Sequence, residues 1–154
     1  MIQSLFTVLI VVQGVVNVVH DWLHIPGWTH GRQVRATLGI WKMVAGTAIT
    51  AVLGGVAAAF AICYWHKPKP VFVLIYWSFY CAFTVMGAIE AWWVPYFRGT
   101  DEKKRELYRK MYAGTYQVLP ARGDNPRANL LHVCFHALFA THLVLAGMLW
   151  TGVS

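Results

Sequence analysis

The sequence predicts an all-α integral membrane protein in which a single domain, residues 1–154, forms a bundle of four transmembrane helices and carries one amphipathic surface helix. Hydrophobic residues make up 58% of the chain and charged residues only 12%, whereas about a quarter of the residues in soluble domains are charged. Four apolar segments, at about residues 2–20, 38–65, 70–97 and 126–150, are each long enough to cross a hydrocarbon core of about 30 Å. These two observations predict the fold class.

The distribution of Lys and Arg predicts how the chain crosses the membrane. Most of these residues lie between segments three and four, and Arg32 and Arg35 lie between segments one and two, whereas the second connection holds Lys67 and Lys69. Because Lys and Arg are enriched in cytoplasmic loops, we expect the first and third connections in the cytoplasm and both termini outside. The net charge of +7 then follows from topology, with the lipid bilayer and its anionic headgroups as partners, and it does not predict binding of nucleic acid.

Segment one is expected to turn a polar stripe toward the other helices. Gln13, Asn17, His20 and His24 are spaced four, three and four residues apart, which places them on one face of a helix. Asp21 lies beside this stripe. A polar stripe on a spanning helix faces protein or a water-filled cavity, because exposing it to lipid is costly.

Segments two and three each contain one charged residue inside an apolar run. Lys42 lies about one turn into segment two, and Glu90 lies about two turns before Arg98 in segment three. Small residues recur every fourth position over residues 46–58 of segment two. This spacing predicts close helix packing within the bundle, or pairing with a second copy in a homo-oligomer.

The longest connection is expected to contain the surface helix, at about residues 101–113, with Thr100 as its cap. The spacing of its apolar residues predicts one buried side, made of Leu107, Tyr108, Met111 and Tyr112. A turn-rich stretch follows, in which Asn125 is expected to cap the fourth helix and Pro126 to take its first position.

With this topology the polar residues of all four segments fall in the cytoplasmic half of the bundle, whereas the opposite half is almost wholly apolar. Two His-x-x-x-His pairs and a carboxylate at one depth form a chemically reasonable metal site, because imidazoles four residues apart share a helix face. The predicted metal ligands are His20, His24, Glu90, His132 and His136. Three residues are predicted to orient or balance these ligands from outside the coordination shell: Asp21, Lys42 and Asn129. A nitrogen-rich ligand set with one carboxylate favours iron or zinc.

The same residues are compatible with several functions. The first hypothesis is a site that binds a metal or a lipid-like hydrophobic molecule, in which Glu90 and His132 transfer protons if the site is catalytic. The second is a haem-binding electron-transfer subunit with two histidines as axial ligands. The third is a transporter or an accessory subunit of a larger membrane complex. Two structural roles are also open: His142 as a packing residue, and Glu90 with Lys42 as an ion pair that fixes the helices.

Two stretches of the C-terminal half, EAWWVPYFRGTDEKKRELY and YQVLPARGDNPRANLLH, resemble a block found in small bacterial four-helix membrane proteins. The resemblance implies a location in the bacterial inner membrane and implies no activity. The pairs HDWLH and HVCFH are also similar to motifs of membrane di-iron hydroxylases and desaturases, but those families use more histidines, including adjacent pairs. Histidine and glutamate within a small bundle resemble the sterol-isomerase and sigma-2 class, without a matching motif.

Overall fold

The structure is a computed structural model, and it describes residues 1–152. In chain order the elements are α1 (Ile2–Val19), β1 (His24–Ile25), β2 (Thr29–His30), α2 (Gly31–Leu38), α3 (Ile40–Cys63), α4 (Val71–Ala88), a π-helical segment (Ile89–Trp93), α5 (Val94–Arg98), α6 (Glu102–Met111) and α7 (Leu130–Trp150). Four helical stretches are long and apolar enough to cross a membrane: α1, α3, the continuous stretch Val71–Arg98, and α7. The prediction of four such helices is confirmed.

The connection after α1 contains a hairpin and a helix that the sequence analysis did not predict. β1 and β2 pair as antiparallel strands around a turn that contains Gly27. The Thr29 hydroxyl donates to the carbonyl of His20 at 2.8 Å, and the Gly31 N–H donates to the carbonyl of Leu23 at 2.8 Å. A Cβ on Gly31 would lie 2.6 Å from that same carbonyl oxygen. The chain can therefore fold back against the end of α1 only with glycine at this position.

The third of these apolar stretches, Val71–Arg98, is continuous but irregular near its end, where the π-helical segment joins α4 to α5. Pro95, in the first turn of α5, has no N–H and cannot donate to the carbonyl of Ala91, four residues earlier. The hydroxyl of Tyr108 in α6 donates to this carbonyl at 2.6 Å. A side chain from the neighbouring helix thus satisfies the backbone that proline leaves open, and it anchors α6 to the π-helical segment.

The N-terminal caps of α6 and α7 differ from those predicted. Asp101, not Thr100, caps α6, because its side-chain oxygen accepts a hydrogen bond from the Lys104 N–H at 2.8 Å. Asn129, not Asn125, caps α7 through its side-chain oxygen. Both predictions chose a residue with the right chemistry one or more positions too early in the chain.

α7 begins at Leu130 rather than near Pro126 because the chain just before it pairs with the loop that follows α6. The Leu130 N–H donates to the carbonyl of Tyr116 at 2.8 Å, and Gln117 and Asn129 form an isolated antiparallel bridge. These contacts keep residues 126–129 out of the helix. The prediction that Pro126 is the first helical residue is therefore wrong.

The main core lies between α1, α3, α4 and α7. α1 packs along α3, and α7 packs against α4 and α1. The buried side chains include Phe6, Ile10, Ala57, Trp77 and Leu145. The Trp77 indole N–H also donates to the carbonyl of Ala57 at 3.0 Å, so this apolar cluster contains a hydrogen bond that joins α4 to α3.

The small residues of α3 lie in two different environments. Gly54 is buried, and a Cβ built there would lie 3.6 Å from the Cα of Gly14 in α1 and 3.1 Å from the Tyr80 hydroxyl. Gly46 is exposed, and a Cβ there would meet nothing within 4 Å. Close packing of α1 on α3 therefore depends on Gly54 rather than on the whole stripe of small residues.

A second, smaller cluster lies at the end of the bundle that contains residues 20–39 and 98–129, which we call the basic end. Val34 of α2, Met43 of α3 and Met111 of α6 are buried together there. All four residues predicted for the apolar side of the third connection belong to this cluster or pack against it. α6 is thus held against α2 and the start of α3 by its apolar side.

Replacing Gly54 by leucine is expected to lower the free energy of unfolding by about 2 kcal/mol, because the new side chain has no room between α1 and α3. The matched control is Gly46→Leu, which adds the same side chain to the same helix at an exposed position. Thermal unfolding of the detergent-purified variants, followed by circular dichroism, measures the difference. Equal stability of the two variants would contradict the packing of α1 on α3.

Candidate functional site

Four of the predicted site residues lie together at the basic end. His20 and Asp21 follow the end of α1, and Asn129 and His132 begin α7. Asn129 and His132 are buried, with exposed fractions of 1% and 8%, and the ring centroids of His20 and His132 are 6.0 Å apart. The first loop and the start of α7 therefore form one polar centre, which we call the His132 site.

Three other predicted residues do not join this site. His24 is exposed in β1, where its ring lies 4.9 Å from that of His30. Lys42 and Glu90 are both exposed, and within residues 1–152 neither takes part in a salt bridge. The hairpin takes His24 away from the bundle, and Glu90 lies on the outer face of its helix. The predicted sharing of a site by His24, Glu90 and His132 is not observed, and the predicted Glu90–Lys42 ion pair is not formed.

Asn129 fixes both the orientation and the tautomer of His132. Its Oδ1 accepts two hydrogen bonds, one from the His132 backbone N–H at 3.0 Å and one from His132 Nδ1 at 2.7 Å. Because the backbone group is a donor only, the atom facing it is the amide oxygen. The neutral imidazole therefore has its hydrogen on Nδ1 and its basic lone pair on Nε2. The Asn129 amide nitrogen donates to the carbonyl of Trp28 at 3.2 Å, which holds the first loop against α7.

Aromatic side chains from three elements enclose the His132 ring. The ring centroid of Trp92, in the π-helical segment, lies 4.3 Å from that of His132. The centroid of Tyr112, which follows α6, lies 5.1 Å away, and that of Phe135 in α7 lies 6.3 Å away. Trp92 also packs on Tyr108 at 4.7 Å. The enclosure removes most of the imidazole from solvent and presents apolar faces around it.

His20 and Asp21 contact each other beside His132. His20 Nε2 lies 3.3 Å from a carboxylate oxygen of Asp21, and its Nδ1 faces the backbone carbonyls of Val16 and Asn17 at 3.1 and 3.2 Å. Both ring nitrogens thus face oxygen acceptors. These contacts fix the position of the His20 ring at the end of α1.

Two tyrosines of the third connection close the site. Tyr112 lies against His132 and against Trp92, whose ring centroid is 4.9 Å away. Burial raises the pKa of the Tyr112 hydroxyl well above its usual value, and the negative charge of Asp21 raises it further. Burial alone raises the pKa of Tyr108 to about 12. Both phenols are therefore neutral hydrogen-bonding groups at physiological pH.

His136 lies in a different environment from His132, although their ring centroids are only 6.2 Å apart. Its ring lies beside Trp93 at 5.8 Å, and its Nδ1 is buried with no hydrogen-bond partner among the described residues. His136 and Trp93 line an apolar groove of about 340 Å³ between the third spanning stretch and α7, together with Val133 and Ala137. This groove adjoins the His132 site through the shared turn of α7.

The described residues contain no group of three or more His, Cys, Asp or Glu side chains placed to hold a metal ion. Of the predicted ligands, His24 and Glu90 are exposed, and His20 faces Asp21 and backbone carbonyls. Iron, zinc and haem therefore stay predictions, without a coordination geometry that supports them.

Two further polar side chains are buried away from the His132 site. His142 is fully buried, with its ring edge-on to that of Phe6 at 5.8 Å. Gln13, from the predicted polar stripe of the first segment, is also buried, and its amide nitrogen donates to the hydroxyl of Tyr80 at 3.2 Å. The position of His142 against Phe6 agrees with its interpretation as a packing residue.

Sequence reasoning missed Trp92 and Tyr112 as parts of the site. Tyr108 and Tyr112 are four residues apart on the buried side of the third connection, and this spacing was the available signal for a shared contact. The partner of that contact is not visible in the sequence, because the π-helical segment sets the direction of Trp92.

No protein-family model, curated protein or solved structure matches this chain. The resemblance of the C-terminal half to small bacterial membrane proteins therefore stays a prediction. A function for the His132 site is therefore inferred from the side chains that form it.

Replacing Asn129 by alanine is expected to lower the free energy of unfolding by about 2 kcal/mol, because the helix cap and the bonds to His132 and Trp28 are lost together. Asn129→Ser keeps a capping oxygen for the His132 N–H and loses the longer-range bonds to His132 Nδ1 and Trp28, so it should cost about 1 kcal/mol. Thermal unfolding in detergent compares the two variants. If serine is as damaging as alanine, the side-chain oxygen does not have the capping role described.

Proposed function

We propose that the protein is a multi-pass protein of the bacterial inner membrane whose His132 site binds an amphiphilic, lipid-like molecule from the cytoplasmic leaflet. The excess of Lys and Arg at the basic end supports this orientation, with both termini outside. The proposal rests on one observation, the burial and hydrogen bonding of the His132 ring. This ring is buried among aromatic side chains and held through Nδ1 by Asn129, which leaves Nε2 as a hydrogen-bond acceptor.

A ligand for this site combines apolar surface with a hydrogen-bond donor. Trp92 and Phe135 offer apolar faces, and Nε2 of His132 accepts a hydrogen bond from a hydroxyl or an amine. The adjacent groove at His136 and Trp93, with a volume of about 340 Å³, is of the size that binds part of a small hydrophobic molecule. A hydrocarbon chain with a hydroxyl near one end meets both requirements.

The role of Glu90 as a proton-transfer partner of His132 stays a prediction. Glu90 is exposed on the outer face of its helix, whereas the side chains of His20 and Asp21 lie beside His132. The proposed binding function therefore depends on His132.

α6 is assigned to the membrane surface, as a lid over the site. Lys103, Arg109 and Lys110 are exposed, whereas Met111 is buried against Val34. A helix with one charged and one apolar side lies stably at the interface between headgroups and acyl chains. Because the Tyr112 that closes the His132 enclosure directly follows α6, movement of this helix would open the site.

His132→Ala is expected to weaken binding of dioctanoylglycerol to the detergent-purified protein by about tenfold, because the hydrogen bond to Nε2 of the imidazole is lost. Dioctanoylglycerol supplies one hydroxyl and two short hydrocarbon chains without a charge. The control is His66→Ala, an exposed histidine at the opposite end of the bundle, which should leave the affinity unchanged. Isothermal titration calorimetry measures both, and equal affinities in all three proteins would contradict the proposal.

Elemental analysis and absorbance spectra of the same preparations test the metal and haem predictions. Because the described residues contain no cluster of three or more metal-ligating side chains, we expect iron and zinc well below one atom per chain. The Soret region of the spectrum tests haem, for which two axial histidines suffice. A near-stoichiometric metal or haem that disappears in His132→Ala would replace the lipid-like ligand by a cofactor at the same site.

A further inference from the structure

A polar cleft lies on the outer side of the two tyrosines that close the His132 site. It has a volume of about 330 Å³ and is formed between α6 and the segment that runs from Tyr112 to the start of α7. Its lining includes three arginines, Arg105, Arg109 and Arg127. Tyr108 and Tyr112 belong to its wall and to the aromatic group around His132. The cleft and the His132 site therefore share one wall.

Arg127 is the arginine of the lining with the fewest partners. It donates to the carbonyl of Leu119 at 3.2 Å and makes no salt bridge among the described residues. Arg105 contacts Thr100 and Glu102, and its Nε is buried without a hydrogen-bond partner. An anion in the cleft is the natural acceptor for the remaining guanidinium donors of Arg127.

The other charged side chains around the cleft are either paired or exposed to solvent. Arg109 is paired with Glu106 at 2.6 Å, so it contributes less free charge than Arg127. Asp124 also lines the cleft and is exposed, where water screens its charge. Glu102 pairs with Arg105 at 3.1 Å, and Lys110 also contacts Glu106 at 3.5 Å. Arg127 is therefore the one arginine of the lining without a salt bridge among the described residues.

We propose that this cleft binds a phosphate group, and that the ligand of the His132 site is therefore a phosphate-bearing amphiphile such as a phospholipid with a small headgroup. The inference rests on the proposed lipid-like ligand and names its class. The guanidinium fork matches the oxygens of a phosphate, to which it donates two parallel hydrogen bonds. Arg127 is the main anchor, and Tyr108 and Tyr112 separate the phosphate from the apolar part of the ligand.

The location of the cleft favours a lipid headgroup as the source of the phosphate. It lies at the basic end, beside the helix assigned to the membrane surface, where phospholipid phosphates are concentrated. Free phosphate has the same chemistry and would bind the same arginines. The two sources differ in one respect, because only the lipid also gains from the apolar surface beyond Tyr112.

Three probes separate these contributions: decanoyl lysophosphatidic acid, decanoylglycerol and inorganic phosphate. Both lipids keep a free hydroxyl for Nε2 of His132, and only the first has a phosphate. Wild-type protein in non-ionic detergent is expected to bind lysophosphatidic acid about tenfold more tightly than decanoylglycerol, because of the arginine–phosphate bonds. Arg127→Gln should remove this preference, Arg127→Lys should restore part of it, and Arg109→Gln should reduce it with little effect on folding. Lys67→Gln, at the opposite end of the bundle, is the control and should leave the preference unchanged.

Each outcome of this titration has a distinct meaning. A preference for lysophosphatidic acid that survives both Arg127→Gln and Arg109→Gln overturns the phosphate site, while the response of dioctanoylglycerol binding to His132→Ala still tests the proposed function. Inorganic phosphate that binds as tightly as lysophosphatidic acid supports the phosphate site and assigns free phosphate as its ligand. Loss of helical content in Arg127→Gln, seen by circular dichroism, shifts the decision to Arg109→Gln, in which an unchanged preference overturns the inference.

Discussion

The side chain of Asn129 is the interaction on which the basic end depends. One amide accepts hydrogen bonds from the backbone and the ring of His132 and donates to Trp28, 101 residues away in the chain. A buried amide is costly unless its partners are in place, so the first loop, the start of α7 and the imidazole can adopt only mutually compatible positions. The His132 site is therefore a consequence of how one helix begins, and its imidazole orientation is part of the fold.

The irregular backbone of the helical stretch Val71–Arg98 brings a further side chain to the site. Pro95 leaves the carbonyl of Ala91 without its helical donor, and Tyr108 supplies the replacement at 2.6 Å. The π-helical segment around Ala91 brings Trp92 onto the His132 ring at 4.3 Å. Irregular backbone of this kind is frequent at functional sites, since it redirects side chains that a regular helix would place elsewhere. The same hydrogen bond anchors α6, so the packing of Trp92 on His132 and the position of α6 both depend on one proline.

The histidines of this chain show why residue type and spacing do not decide a role. His132 is oriented by an asparagine, His136 lies four residues later beside an apolar groove, His142 packs on Phe6, and His24 is exposed in a hairpin. As their i,i+4 spacing predicts, His132 and His136 lie on one face of α7. What lies opposite that face differs within a single turn, because Trp92 and Tyr112 contact the first ring and Trp93 contacts the second.

The sequence by itself determined the four apolar helices, the helix in the third connection and the concentration of His20, Asp21, Asn129 and His132 at one end, because hydropathy, helical periodicity and charge are properties of local chain segments. Only the tertiary structure decided which polar residues meet. In the structure Glu90 is exposed on an irregular helix and does not join the site. Tyr112, which directly follows α6, contacts His132 instead. Contacts of that kind depend on the hairpin after α1, on proline-dependent helix geometry and on packing between segments far apart in the chain, and no periodicity within one segment encodes them.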